Sequence, residues 1–235
     1  MTQVKICGLR PGDDLSFTRH PSVTHIGVVF VPASRRYVAP AAARAITAAA
    51  RDCRVLGVFV DEPVHVVREV IQTAGLHGCQ LHGNEPPEVC AALRADGWTV
   101  WKALSVPPAV ASQASVLADL VSKAAVYAPC VDALLFDAAP PQGAAPGVTG
   151  GYGQPWAWDV LPALVAGIAR RVARLPAVWV AGGLNAKTIP NLLRVFRPDG
   201  IDVSSGAEVD GRKSLPKVNE ILEVVNRFDA AERVP

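Results

Sequence analysis

Two glycine turns and a set of single reactive side chains are the parts of this chain suited to chemistry. VAGGLN places Gly182 and Gly183 directly after an apolar run, and VSSGAE does the same with Ser205 and Gly206. Glycine lets backbone N–H groups approach an anion with no side chain in the way, and a following helix N-terminus favours negative charge. Either turn alone has a purely structural reading; as a pair they suit a phosphate. Other apolar runs end on Cys7, on the stretch from Phe30 to Arg36, on Asp61, on Gln80 and His82, on Lys102 and on Asp137. Thiol, carboxyl, imidazole and ammonium groups move protons or hold charge. They do not form a metal set, because His25, His65, His77 and His82 lack i,i+4 pairing and the cysteines are isolated.

Such groups act together only if the fold gathers the ends of the runs. The runs are VKIC (4–7), THIGVVF (24–30), RVLGVFV (54–60), GCQLH (78–82), TVWKAL (99–104), ALLFDA (133–138), AVWVAGG (177–183) and GIDVSS (200–205). Most are nearly continuously apolar, as strands buried on both faces should be. Between them the period changes to that of amphipathic helices, expected near 12–19, 40–51, 62–74, 86–95, 109–126, 157–173, 186–196 and 215–229. Pro40, Pro63, Pro86 and Pro216 stand at or near first turns, where a missing N–H costs little. Eight βα units in 235 residues predict an α/β chain folded as a single (β/α)8 TIM barrel over residues 1–235. In such barrels the strand ends at the C-terminal face carry the chemistry, and phosphate often sits after strands seven and eight. A small phosphorylated molecule is the expected partner.

Composition excludes several other classes. The formal net charge is +2 and no basic run is interleaved with aromatics, so no nucleic-acid partner is expected. No apolar stretch approaches the roughly 18 residues that span a bilayer, so no membrane partner is expected either. The five cysteines form no CxxC pair, and no signal-type leader opens the sequence. Reduced thiols and a cytoplasmic location follow as expectations. Nothing in the sequence fixes an oligomeric state.

KICGL (5–9), SRRYV (34–38), QLHGNE (80–85), LLFDA (134–138), AGGLN (181–185) and DVSSGAE (202–208) occur in this order. Together they resemble the phosphoribosylanthranilate isomerase family, whose members are (β/α)8 barrels of tryptophan biosynthesis that work without a cofactor. The resemblance implies an Amadori rearrangement of N-(5′-phosphoribosyl)anthranilate to 1-(2-carboxyphenylamino)-1-deoxyribulose 5-phosphate. It implies Cys7 as base and Asp137 as acid, Arg36 as partner of the anthranilate carboxylate, and the seat of Gly182, Gly183, Ser205 and Gly206 for phosphate. A cysteine of pKa ~8.5 then needs local help to ionise, for which Lys5 and Arg36 are candidates, and an aspartic acid of pKa ~3.9 needs apolar surroundings to keep its proton. Gln80 and His82 alternate and point the same way, either as a packed hydrogen-bonded pair or toward ligand. Cys53, Cys79, Cys90 and Cys130 match no catalytic position.

Arg35 stands where the family usually has proline, and GRKS (211–214) replaces the usual lysine followed by aspartate, which reads as a peripheral change. After Asp137 a glycine- and proline-rich loop, about 138–155, carries Gly150, Gly151, Tyr152 and Gly153 where the family commonly reads GGTG and closes over substrate. Two other functions fit parts of the pattern. One is a bifunctional phosphoribosyl isomerase that also acts in histidine biosynthesis, whose relatives carry aspartate in both catalytic positions. The other is a non-catalytic phosphosugar-binding barrel.

Overall fold

Each apolar run pairs with the next in parallel, and the last pairs with the first, so no edge is left open. The computed structural model describes residues 1–50, 52–140 and 155–231. Its barrel strands are β1 (Gln3–Cys7), β2 (Val23–Val29), β3 (Arg54–Phe59), β4 (Gly78–Leu81), β5 (Thr99–Val106), β6 (Ala133–Ala138), β7 (Ala177–Val180) and β8 (Gly200–Val203). The helices are α1 (Pro40–Ala49), α2 (Val64–Ala74), α3 (Pro87–Ala95), α4 (Ala114–Tyr127), α5 (Leu161–Ala169), α6 (Ile189–Val195) and α7 (Leu215–Ala231). A two-stranded antiparallel ribbon, β9 (Glu208–Val209) and β10 (Arg212–Lys213), follows β8. The fold is thus the (β/α)8 barrel expected.

The helix expected over 12–19 is not formed; Ser16–Arg19 make only a 3-10 turn. Asp13 Oδ2 accepts from Arg10 N and Asp14 Oδ1 from Ser16 N, both at 2.8 Å. Short acidic side chains that take backbone N–H groups in this way compete with a helix. The same chemistry delays α6, where Asn185 Oδ1 accepts from the backbone of Lys187 and Thr188.

Period-two alternation divides the strands between two cores. Val4, Ile6, Val28, Leu81, Phe136 and Val203 point outward and pack with the helices. Leu56, Trp101, Ala103, Leu135, Trp179 and Ala181 point inward and fill the barrel. Toward the N-terminal end, the rings of Trp101 and Trp179 lie 4.4 Å apart and His25 closes against them at 4.8 and 5.1 Å. This aromatic floor carries the polar layer above it.

Burial, with help from the charges of Lys5, Arg54 and His77, lowers the His25 pKa to about 3. An unfolded chain therefore takes up a proton at this residue that the folded chain refuses, so stability falls as pH drops from about 6.5 toward 3. This one group should cost about 2 kcal/mol between pH 8 and pH 5. Urea unfolding at both pH values should show that loss in the native chain, and a difference smaller by about that amount in His25→Phe. An identical pH dependence in the variant would rule out His25 as the source of the loss.

Candidate active site

Lys5 and Cys7 lie on the inward face of β1, and Gly27 opposite them on β2 makes room for both. A Cβ at Gly27 would stand 2.6 Å from Cys7 Sγ and 3.1 Å from Lys5 Nζ. The Lys5 ammonium has no solvent exposure. It donates to Asp202 Oδ2 at 2.7 Å and to Gln80 Oε1 at 2.8 Å, tying β1 to β8 and β4. Burial would lower the lysine pKa, but Asp202 and Cys7 together outweigh it and hold the ammonium above its ordinary value. Gln80 Nε2 then meets His82 Nδ1 at 3.1 Å, and His82 Nε2 faces Asp137 Oδ2 at 3.4 Å. A continuous polar chain runs across the barrel mouth from β8 to β6.

Cys7 does not ionise as readily as the family resemblance requires. Burial pushes its thiol up; Lys5 and Lys213 pull it down and Asp202 opposes them, with the net result above the ordinary range. Lys5 therefore acts in the expected direction, while the second cation acting on this thiol is Lys213. Arg36 has another partner. It is buried, lies along the backbone of Gly8, and donates from Nε and Nη2 to Glu208 at 2.6 and 3.0 Å. Glu208 also accepts from Arg35 Nη2 at 2.7 Å and Lys213 Nζ at 2.8 Å. Burial would raise this carboxyl, but Arg36 and Lys213 win and hold it at about 2.

The two glycine turns meet beside Asp137. Gly182 and Gly183 adopt φ of 88° and 67°, the left-handed region that favours glycine. A Cβ on Gly182 would reach Asp137 Oδ1 at 3.0 Å, and one on Gly206 would overlap Leu184 O at 1.9 Å. The turns after β7 and β8 are therefore packed backbone to backbone. Ser204 Oγ donates to Cys7 O at 3.1 Å, which joins the second turn to β1.

Cys7, Gln80, His82, Asp137, Arg36 and both glycine turns gather at one mouth. Lys102 does not join them. It stands on the opposite face of β5 from Trp101 and Ala103, fully buried, and donates to Glu85 Oε2 at 2.7 Å. Asp61 is also structural: its N–H donates to Glu85 Oε1 at 2.9 Å and its Oδ1 accepts from Asn84 N at 2.5 Å. Cys53, Cys79 and Cys90 are packed thiols raised by burial, Cys53 and Cys90 to about 11. The central part of the glycine-rich loop, 141–154 with Gly150 to Gly153, lies outside the described residues. Sequence reasoning missed Asp202, Glu208 and Lys213, and Lys213 is not peripheral but almost wholly buried. One signal was available for Asp202, the single charge in the apolar run GIDV.

A parallel (β/α)8 barrel with an inward thiol and carboxyl and a double glycine turn after its last two strands belongs, by fold and site, with barrels that handle small phosphorylated molecules. Comparison with known proteins narrows this. The sequence pattern of the family described as N-(5′phosphoribosyl)anthranilate (PRA) isomerase matches residues 4–224. An N-(5′-phosphoribosyl)anthranilate isomerase of Brevibacillus brevis is 33% identical over 97% of this chain and 96% of its own. The crystal structure of phosphoribosyl anthranilate isomerase from Thermotoga maritima superposes with a TM-score of 0.78 at 28% identity, covering 97% of this chain and all (100%) of that one. A phosphoribosyl anthranilate isomerase in complex with reduced 1-(o-carboxyphenylamino)-1-deoxyribulose 5-phosphate superposes at 0.75 with 26% identity, covering 97% and 100%. The chain belongs to the N-(5′-phosphoribosyl)anthranilate isomerase family.

The room left by Gly27 gives a direct test of the site's packing. Gly27→Ala forces Cys7 and Lys5 out of their positions, and overpacking of this kind costs roughly 1–3 kcal/mol. The variant should melt earlier and lose activity, and an activity and melting temperature equal to those of the native chain would show that the two side chains are not held as described.

Proposed function

We propose that this chain catalyses the isomerisation for which its family is named, the cofactor-free Amadori rearrangement of N-(5′-phosphoribosyl)anthranilate to 1-(2-carboxyphenylamino)-1-deoxyribulose 5-phosphate in tryptophan biosynthesis. The observation that carries it is the convergence of Cys7 from β1 and Asp137 from β6 on the inward face of one mouth, beside the double glycine turn. Asp137 gives its proton to the ribose ring oxygen as the C1′–O bond breaks, leaving a protonated imine. Cys7 removes the C2′ proton, and the electron pair moves into a C1′=C2′ enolamine that neutralises the imine nitrogen. Ketonisation returns a proton to C1′, so C2′ is oxidised and C1′ reduced with no external oxidant. The cationic imine resolves the thiol's difficulty, because a positive charge beside Cys7 favours the thiolate that burial disfavours.

The phosphate belongs in the seat of Gly182, Gly183, Ser205 and Gly206. Arg36 receives the anthranilate carboxylate with the N–H groups Glu208 leaves free: Glu208 takes two, and a guanidinium offers five. On this reading residues 1–235 form one domain with reduced thiols in the cytoplasm, in keeping with five free cysteines and with no described helix long and apolar enough to cross a membrane. Cysteine rather than aspartate at position 7 favours the single-substrate enzyme over a bifunctional one. The presence of both proton-transfer groups disfavours a barrel that only binds.

Loss of fluorescence of freshly generated phosphoribosylanthranilate measures the reaction. Cys7→Ala and Asp137→Asn should each lower turnover roughly 10²- to 10⁴-fold with affinity for a product analogue little changed, as expected for groups acting in proton transfer. Turnover equal to that of the native chain in either variant overturns that residue's role. Inorganic phosphate should raise KM without changing kcat; a fall in kcat would place its site elsewhere.

A further inference from the structure

The polar chain at the mouth fixes where protons can sit, and it does so from its lysine end. An ammonium has only donors, so the Gln80 oxygen must face Lys5, which is where the 2.8 Å contact places it. Asp202 Oδ2, at 2.7 Å, and Gln80 Oε1 together anchor that ammonium. The amide nitrogen of Gln80 is then turned toward His82 Nδ1, and an NH2 group has no lone pair to offer there. Nδ1 must accept, so the ring carries its proton on Nε2. Nε2 is buried, has no settled hydrogen-bond partner among the described residues, and faces Asp137 Oδ2 at 3.4 Å.

This bears directly on the acid. A carboxylic acid next to an imidazole lone pair would lose its proton to the ring, because an ordinary imidazole is more than two pKa units the more basic of the two. In this mouth the ring nitrogen facing the acid already holds a hydrogen, and the other is covered by the Gln80 amide. Neither nitrogen of His82 can then take a proton from Asp137. With the Nε2 hydrogen on the Oδ2 side, 3.4 Å away and short of a formed hydrogen bond, the acid's own hydrogen is assigned to Oδ1, the oxygen on the Gly182 side of the mouth.

We propose that Lys5 and Gln80 are positioning residues that hold His82 neutral with its proton on Nε2, so that His82 offers Asp137 an N–H and cannot take the proton the acid must deliver. The proposal rests on Asp137 being the acid of the reaction proposed above. Its structural half is testable without turnover. Nitrogen-15 NMR of histidine-labelled native chain at neutral pH should show His82 with an unprotonated Nδ1 and a protonated Nε2, assigned by loss of the signals in His82→Asn. The reverse tautomer, a mixture of the two, or a doubly protonated ring would overturn the proposal even if the enzyme is fully active. An inactive native chain with the expected tautomer would instead count against the reading of the reaction. Gln80→Glu supplies the functional half, since it keeps an acceptor for Lys5 but presents a carboxylate oxygen to Nδ1. A proton should then appear on Nδ1, and kcat should fall roughly 10- to 100-fold, by analogy with the loss of an outer hydrogen-bond partner of a metal-ligating histidine, with KM little changed. An unaltered kcat in a variant that shows the Nδ1 proton, or a loss confined to KM, would overturn the positioning role.

Discussion

Everything at the mouth depends on one buried ammonium. Carrying Lys5 into the barrel interior removes a charge from water, a cost of several kcal/mol that only a close counter-charge and further hydrogen bonds offset. Asp202 supplies the charge and Gln80 the second acceptor, so three strands are committed to one geometry before any ligand arrives. The indole face of Trp101, 5.7 Å below the ammonium, closes the layer toward the floor. A lysine in this position organises rather than reacts. Its three donors and complete lack of acceptors give direction to the amide, and through it to the imidazole.

A second buried ion pair does related work outside the barrel. Lys102 and Glu85 meet behind β4 and β5, where Glu85 also accepts from the backbone of Asp61 and Gly83, and Lys102 donates to the carbonyls of Leu81 and Gly83. Those bonds brace the turn that immediately follows His82. The imidazole is thus fixed from two directions, its ring by the inner pair through Gln80 and its backbone by the outer pair through the QLHGNE turn.

The strands were legible because burial on both faces writes itself as nearly unbroken apolar runs, and the long helices because α2 and α7 keep a clean apolar stripe. Helix starts were less so: around Asp13, Asp14 and Asn185 a single side chain redirects the backbone, a local choice that periodicity does not register. At the site, residues that end strands could be found by position alone. Glu208 and Lys213 could not, because the short β9–β10 ribbon that turns them inward carries no apolar period, and the four charged residues of GAEVDGRKS look solvated when written as text. Lys102 was misplaced for the opposite reason. Strand parity with Trp101 assigns it to the outer face, and a charge buried between sheet and helix is rare enough that position near a strand end outweighed parity.

Around Glu208 three cations share one carboxylate, so the rim of the mouth retains two positive charges. That equals the formal net charge of the entire chain, +2, so the remaining residues sum to zero. A local surplus of positive charge beside the site suits an anionic phosphate ester. Charge placed in this way acts on an approaching anion over a distance that the ionic strength of the surrounding solution sets.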